Sequence, residues 1–193
     1  MKEKTLEIDW IYHNEYFEVA LTNYEEVKKL KEEIEDMTKK IRNKEKKLDD
    51  NHINSIADKN YLISNYAMVV VIFSALSLEA YINNYAINRL SKNYFTKYLD
   101  KLNPLAKWII IPRITTGRQL DTGFKVIQDL SWLFSLRNDL VHYKSKKIQI
   151  KKGQLVEDPD FIEEYHAKRA INTVKNLMLE FKKIDRNADI IES

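Results

Sequence analysis

Cysteine is absent from the 193 residues, which excludes disulfides, thiolate metal sites and a cysteine nucleophile. Glycine and proline, the strongest breakers of regular structure, number three each, and the first of these six residues is Pro104. More than half of the chain therefore runs without either, which predicts long helices. Long apolar runs are also missing. The most hydrophobic stretch, AMVVVIFSALSL at 67–78, meets Glu79 after twelve residues, whereas a membrane span needs about twenty. It reads as a buried core helix. The charged, aromatic start MKEKTLEIDWIYHNEYF offers no secretory leader. No membrane contact is expected, and a cytoplasmic setting fits the missing cysteines. No glycine-rich phosphate loop, His-Glu-x-x-His or Gly-x-Ser-x-Gly occurs, so hydride, kinase and serine-hydrolase chemistries have no visible machinery. An excess of one charge is lacking too: 32 Lys plus Arg against 29 Asp plus Glu give +3, which says little about partners.

What is present is helical periodicity. Between Glu15 and Asp50, Val27, Ile34, Ile41 and Leu48 recur every seven residues within a heavily charged sequence, the pattern of a narrow seam along one neighbour. This predicts a helical arm, and Asp49-Asp50-Asn51-His52 predicts a turn near 49–54. A second helix, Ser55 to about Leu90, is apolar on nearly every face and should be the central core helix. Residues 93–121, with Pro104, Pro112 and Gly117, predict short helices and turns, with Trp108 and the isoleucines after it in the core. A helix follows over 124–143. Alternation around Ile148 and Ile150, a Lys152-Gly153 turn and Leu155-Val156 then predict a small β-hairpin near 147–157. Asp160 caps a last helix over 161–184, with Tyr165, Ile171, Val174, Leu177, Met178 and Phe181 as its buried stripe, and NADIIES is expected to fray. The predicted architecture is an all-α up-and-down bundle over 55–186 with an N-terminal helical arm over 1–54.

The chemistry concentrates at LRNDLVHYKSKK, 136–147. At about 100° per residue, Leu133, Leu136 and Leu140 set the core direction of this helix. His142 lies about 150° from that direction, Asn138 about 40° from His142, and Arg137 about 140° from it. The histidine therefore faces away from its own core. Over 137–152, Arg137, Lys144, Lys146, Lys147, Lys151 and Lys152 outnumber one acid, Asp139. A basic strip beside an imidazole and an arginine suits a phosphodiester: lysines hold backbone phosphates, arginine grips a phosphate bidentately, and histidine moves protons near neutral pH. The plainer reading is a helix end whose Arg and His complement the macrodipole, followed by solvated lysines.

Arg-Asn-Asp-Leu-Val-His, following an apolar helix, resembles the signature of the HEPN superfamily (higher eukaryotes and prokaryotes nucleotide-binding domains), whose nuclease members carry Arg, four to six residues, then His. SALSLEAYINNYA at 74–86, with Glu79 and Asn83 one turn apart, is similar to the first core helix of several bacterial HEPN families. The resemblance covers 63–143, and more loosely 55–184. It implies a homodimer through the motif helix and a composite cleft that cuts RNA without metal or cofactor. Arg137 and His142 would be catalytic, with Asn138 beside them; Glu79 and Asp139 are candidates to orient them, and Lys144, Lys146, Lys147, Lys151 and Lys152 would hold RNA. It also implies a toxin or antiphage effector with an antitoxin or regulatory protein as partner. A toxin subset carries Tyr two positions after the His; here Tyr143 follows directly and Lys144 takes that place. The alternative within the family is a catalytically silent module binding nucleotide, RNA or protein; outside it, a helical scaffold. Glu79, in an apolar helix, needs a partner, either within the core or at Arg137. Glu163 and His166 form one Glu-x-x-His, whereas a di-metal bundle needs two and further Glu, so no metal is expected.

Overall fold

Asp49 caps the longest helix of the chain. Its carboxylate accepts the His52 backbone N–H at 2.9 Å, so the helix begins at once rather than after a turn. In the computed structural model, which describes residues 12–43, 49–121, 123–142, 150–151, 154–155 and 162–191, this helix is α2, Asp50–Leu90. The turn expected at 49–54 is therefore absent from 50–54, which are helical, because the aspartate serves as a cap and not as a turn residue. Preceding it, α1 spans His13–Arg42. After α2 come a single-turn α3, Lys92–Tyr94, a π-helical stretch Phe95–Leu99, α4, Pro104–Thr116, α5, Lys125–Val141, and α6, Glu164–Ile184. Asn103 caps α4 through Ala106 N–H, with Pro104 at the first helical position, and Gly117 ends it at φ 72°, where a side chain would be strained. Two two-residue strands, Ile150–Lys151 (β1) and Gln154–Leu155 (β2), pair antiparallel with Ile150 opposite Leu155. The fold is an all-α helical bundle.

The sides of α2 feed the core. Val70, Val71, Ala75, Leu78, Ile82 and Ala86 are buried, and Ser74 and Ser77 are small enough for neighbouring helices to approach closely. By length and composition α2 could cross a membrane; half of its most apolar window is buried within the bundle. Its aromatic centre is Tyr81, whose ring stacks on Trp108 (5.7 Å) and meets Phe181 edge-on (5.8 Å). Such pairs are worth about 0.5–1.5 kcal/mol each beyond burial.

The described part of the α1 stripe is its covered face, and two other expectations, at the start of α6 and at the end of the chain, need correction. On α1 the buried residues are His13, Phe17, Ala20, Val27 and Leu30, while Ile34 and Ile41 are only partly covered. The arm is thus core at its N-terminal half, and the heptad row marks a looser seam beyond it. Helix α6 starts at Glu164, with Glu163 and His166 closing a reciprocal cap in which Glu163 N–H donates to His166 Nδ1 at 3.0 Å. Tyr165 consequently lies in the first turn, 56% exposed, rather than in the buried stripe. The end of the chain does not fray through its described part, since Ala188 and Ile191 are buried and Lys182 Nζ donates to the Ala188 carbonyl at 2.7 Å.

Candidate functional site

Arg137 lies about 70° from the core direction of α5, at the border between core and surface. From there its guanidinium crosses to α2, where Nη2 donates to Glu79 Oε2 at 3.1 Å, and Nη1 turns back to Asn138 Oδ1 at 2.9 Å. The two side chains of the ion pair are 20% and 27% exposed. Glu79 thus finds its partner at Arg137 rather than within the apolar core. Of the five N–H donors of an arginine, these bonds use two.

One turn along α2, Asn83 Oδ1 accepts from Lys107 Nζ at 2.9 Å. Lys107, from α4, is only 3% exposed, and its ammonium sits 5.3 Å from the Phe95 ring centre. Burial pushes this lysine below its ordinary range, while the charges of Glu79 and Asp100 pull the other way. Sequence reading missed Lys107. The signal was its place four residues before Ile111 in PLAKWIII, which puts a cation on the buried face of α4.

His142 ends α5. Its backbone leaves the helix at φ −106°, ψ 42°, and its N–H donates to the Asn138 carbonyl at 2.9 Å. The imidazole is exposed, as are Asn138 and Asp139. Asp139 joins no ion pair among the described residues, whereas Glu79 and Asn138 both hold Arg137. Arg137 and His142 are not brought together within one chain: the arginine leans inward onto α2 and the histidine faces out. Lys144, Lys146, Lys147 and Lys152, with Tyr143, lie outside the described residues, and Lys151 enters only as backbone of β1.

A groove of about 860 Å³ opens elsewhere, lined by His13, Asn84, Asn88, Arg89, Lys182 and Asp189 among others. Its α2 residues lie between about 80° (Arg89) and about 180° (Asn88) around the helix from Glu79. Among the described residues no three His, Asp or Glu side chains converge as metal ligands, and Glu163 and His166 are occupied in capping α6. The arrangement at α5 offers a fixed guanidinium, an amide and an open imidazole, a set suited to an oxyanion and a mobile proton. No family model, curated protein or solved structure matches the chain.

Proposed function

We propose that the protein is a metal-independent endoribonuclease of the HEPN type, working as a homodimer whose two α5 helices face one another. The observation that carries this reading is the guanidinium of Arg137, fixed by Glu79 and Asn138 at the edge of the core, on the same short helix end as the exposed imidazole of His142. A two-fold axis along α5 would let each arginine serve the histidine of the other copy, which removes the need for the two to converge in one chain. In this mechanism the ribose 2′-oxygen attacks the adjacent phosphorus. His142 of one copy takes the 2′-hydroxyl proton, and Arg137 stabilises the added negative charge on the phosphorane. The 5′-oxygen leaves with a proton from His142 of the second copy, giving a 2′,3′-cyclic phosphate and a 5′-hydroxyl. DNA lacks the nucleophile and is not cut. A toxin or antiphage role, held in check by an antitoxin or regulatory protein, follows from the resemblance of the motif.

The full chain, incubated with single-stranded RNA in EDTA, should release cyclic-phosphate ends. Arg137→Ala and His142→Ala should each slow this by about 100-fold or more while leaving the circular dichroism and oligomeric state unchanged. Cutting that survives both substitutions, or that stops with chelator, sinks the mechanism. The engagement of Arg137 by two side chains also suits a structural arginine, and hence a silent module. That reading predicts RNA or partner binding without any cleavage.

A further inference from the structure

The link between α2 and α4 carries a surface that the proposed chemistry leaves unused. Ser91 closes α2 at φ 86°, ψ 148°, a conformation strained for a residue other than glycine. Its hydroxyl accepts from Tyr94 N–H. Four residues later the helix widens to a π-turn, with Asp100 N–H bonded to the Phe95 carbonyl at 3.0 Å. Turns of this kind are rare and concentrate at functional sites.

The widened turn sorts four large side chains. Phe95 and Leu99 point into the core, while Tyr94 and Tyr98 are 41% and 57% exposed, their ring centres 5.1 Å apart. Lys92, Lys97 and Lys101 are exposed in the same short segment against one exposed acid, Asp100. Lys97 Nζ sits 5.0 Å from the Tyr98 ring centre. Two partly exposed rings with ammonium groups beside them match the way proteins hold single-stranded nucleic acid, with bases stacked on rings and phosphates on cations. A duplex hides its base faces and could use only the charges.

We propose that Tyr94 and Tyr98, with Lys92, Lys97 and Lys101, form a stacking platform for single-stranded RNA. The platform rests on the ribonuclease reading above for its substrate. Rigid packing links the platform to Arg137. Phe95, between the tyrosines, lies under Lys107; Lys107 holds Asn83; Asn83 is one turn, about 6 Å of helix rise, from Glu79; and Glu79 holds Arg137.

Fluorescence anisotropy with a short labelled single-stranded RNA tests this, using the full chain carrying His142→Ala so that the probe stays intact. Tyr94→Ala with Tyr98→Ala should weaken binding by about 10- to 100-fold, and the pair Tyr94→Phe, Tyr98→Phe, which keeps both rings, should bind nearly as the parent does. Replacing Lys92, Lys97 and Lys101 by Gln should flatten the dependence of log affinity on log salt by about 2. Unchanged affinity in the alanine pair, or an equal loss with a duplex of the same length, overturns the platform. If the tyrosine pair controls binding but the wild type never cuts RNA, the platform stands and the ribonuclease reading falls. If cutting is intact and the tyrosines do not matter to binding, the reverse holds.

Discussion

Two polar clusters grip different faces of α2, a quarter to a third of a turn apart, and they are finished differently. On one side Asp185 takes three bonds: Oδ2 accepts from the Tyr85 hydroxyl at 2.8 Å and from Arg89 Nη2 at 2.7 Å, and Oδ1 accepts from Asn187 N–H at 3.0 Å. Burial alone would raise this carboxyl, but those hydrogen bonds and the Arg89 charge hold it below the usual carboxylate range. Tyr81 donates to the Asp189 carbonyl and Lys182 to that of Ala188, so residues 188 and 189 are latched onto the bundle. On the other side Glu79 holds Arg137 by one bond, Asn138 by another, and donors remain. The same carboxylate–guanidinium pairing thus fastens the end of the chain to α2 in one place and holds the motif arginine of α5 against α2 in the other.

The largest effect that separates the two should come from Glu79→Ala. As a positioning residue for Arg137, its loss should lower kcat for RNA cleavage by about 10- to 100-fold with little change in KM, and shift stability by no more than about 1 kcal/mol because the pair is partly solvated. If kcat is untouched and the protein is strongly destabilised, the two clusters are alike and both structural. Next in size, Asp185→Ala leaves the Tyr85 hydroxyl with only Thr115 and loosens the end of the chain. Urea unfolding should show a loss of about 2–3 kcal/mol, most of it from Tyr85 and the latch, since Arg89 is 41% exposed on its side chain. RNA cleavage by the folded fraction should be unchanged.

The smallest effect concerns His13, the first residue of α1. Its ring packs edge-on against Tyr81 at 5.3 Å, and its Nδ1 is buried without a partner. Burial lowers its affinity for a proton below the ordinary value of 6.5, with Glu15 and Asp189 opposing the shift. The unfolded chain therefore binds the proton more readily. The associated stability is complete above pH 6.5 and is lost as pH falls through the depressed folded value. The melting temperature should drop between neutral pH and mildly acidic pH, and His13→Leu should shallow that drop. It should not abolish it, because burial lowers His166 in the same way. An identical pH profile for His13→Leu would show that His13 carries no part of the dependence.

The fold class was legible because its signals are local. Scarce glycine and proline, and apolar residues at helical spacing in 55–90 and 171–181, state helices whatever their neighbours do. Boundaries were less so. Asp49 and Glu163 are caps, and a cap differs from a turn or a helix interior only by a hydrogen bond made in three dimensions. The angular position of Arg137 already placed it beside the core and His142 away from it, yet the choice of Glu79 as partner needed the packing of α5 on α2. Lys107 and the Asp185 latch were invisible for the same reason, as each joins residues between 24 and 108 positions apart.

The length of α2 has a mechanical consequence. At about 1.5 Å per residue it runs for roughly 60 Å, yet none of residues 50–62 is buried, and α1 has no buried residue beyond Leu30. The tip of this hairpin is joined across the two helices by Lys59 and Glu33, both partly exposed. The free energy needed to open an amide should therefore fall steadily along one unbroken helix, from the full unfolding value near Leu78 to little more than fraying near Asn51. A single covalent rod would then hold two cooperative regimes, a rigid end that fixes Glu79 and a compliant end about 20 Å long that can melt and re-form without disturbing it.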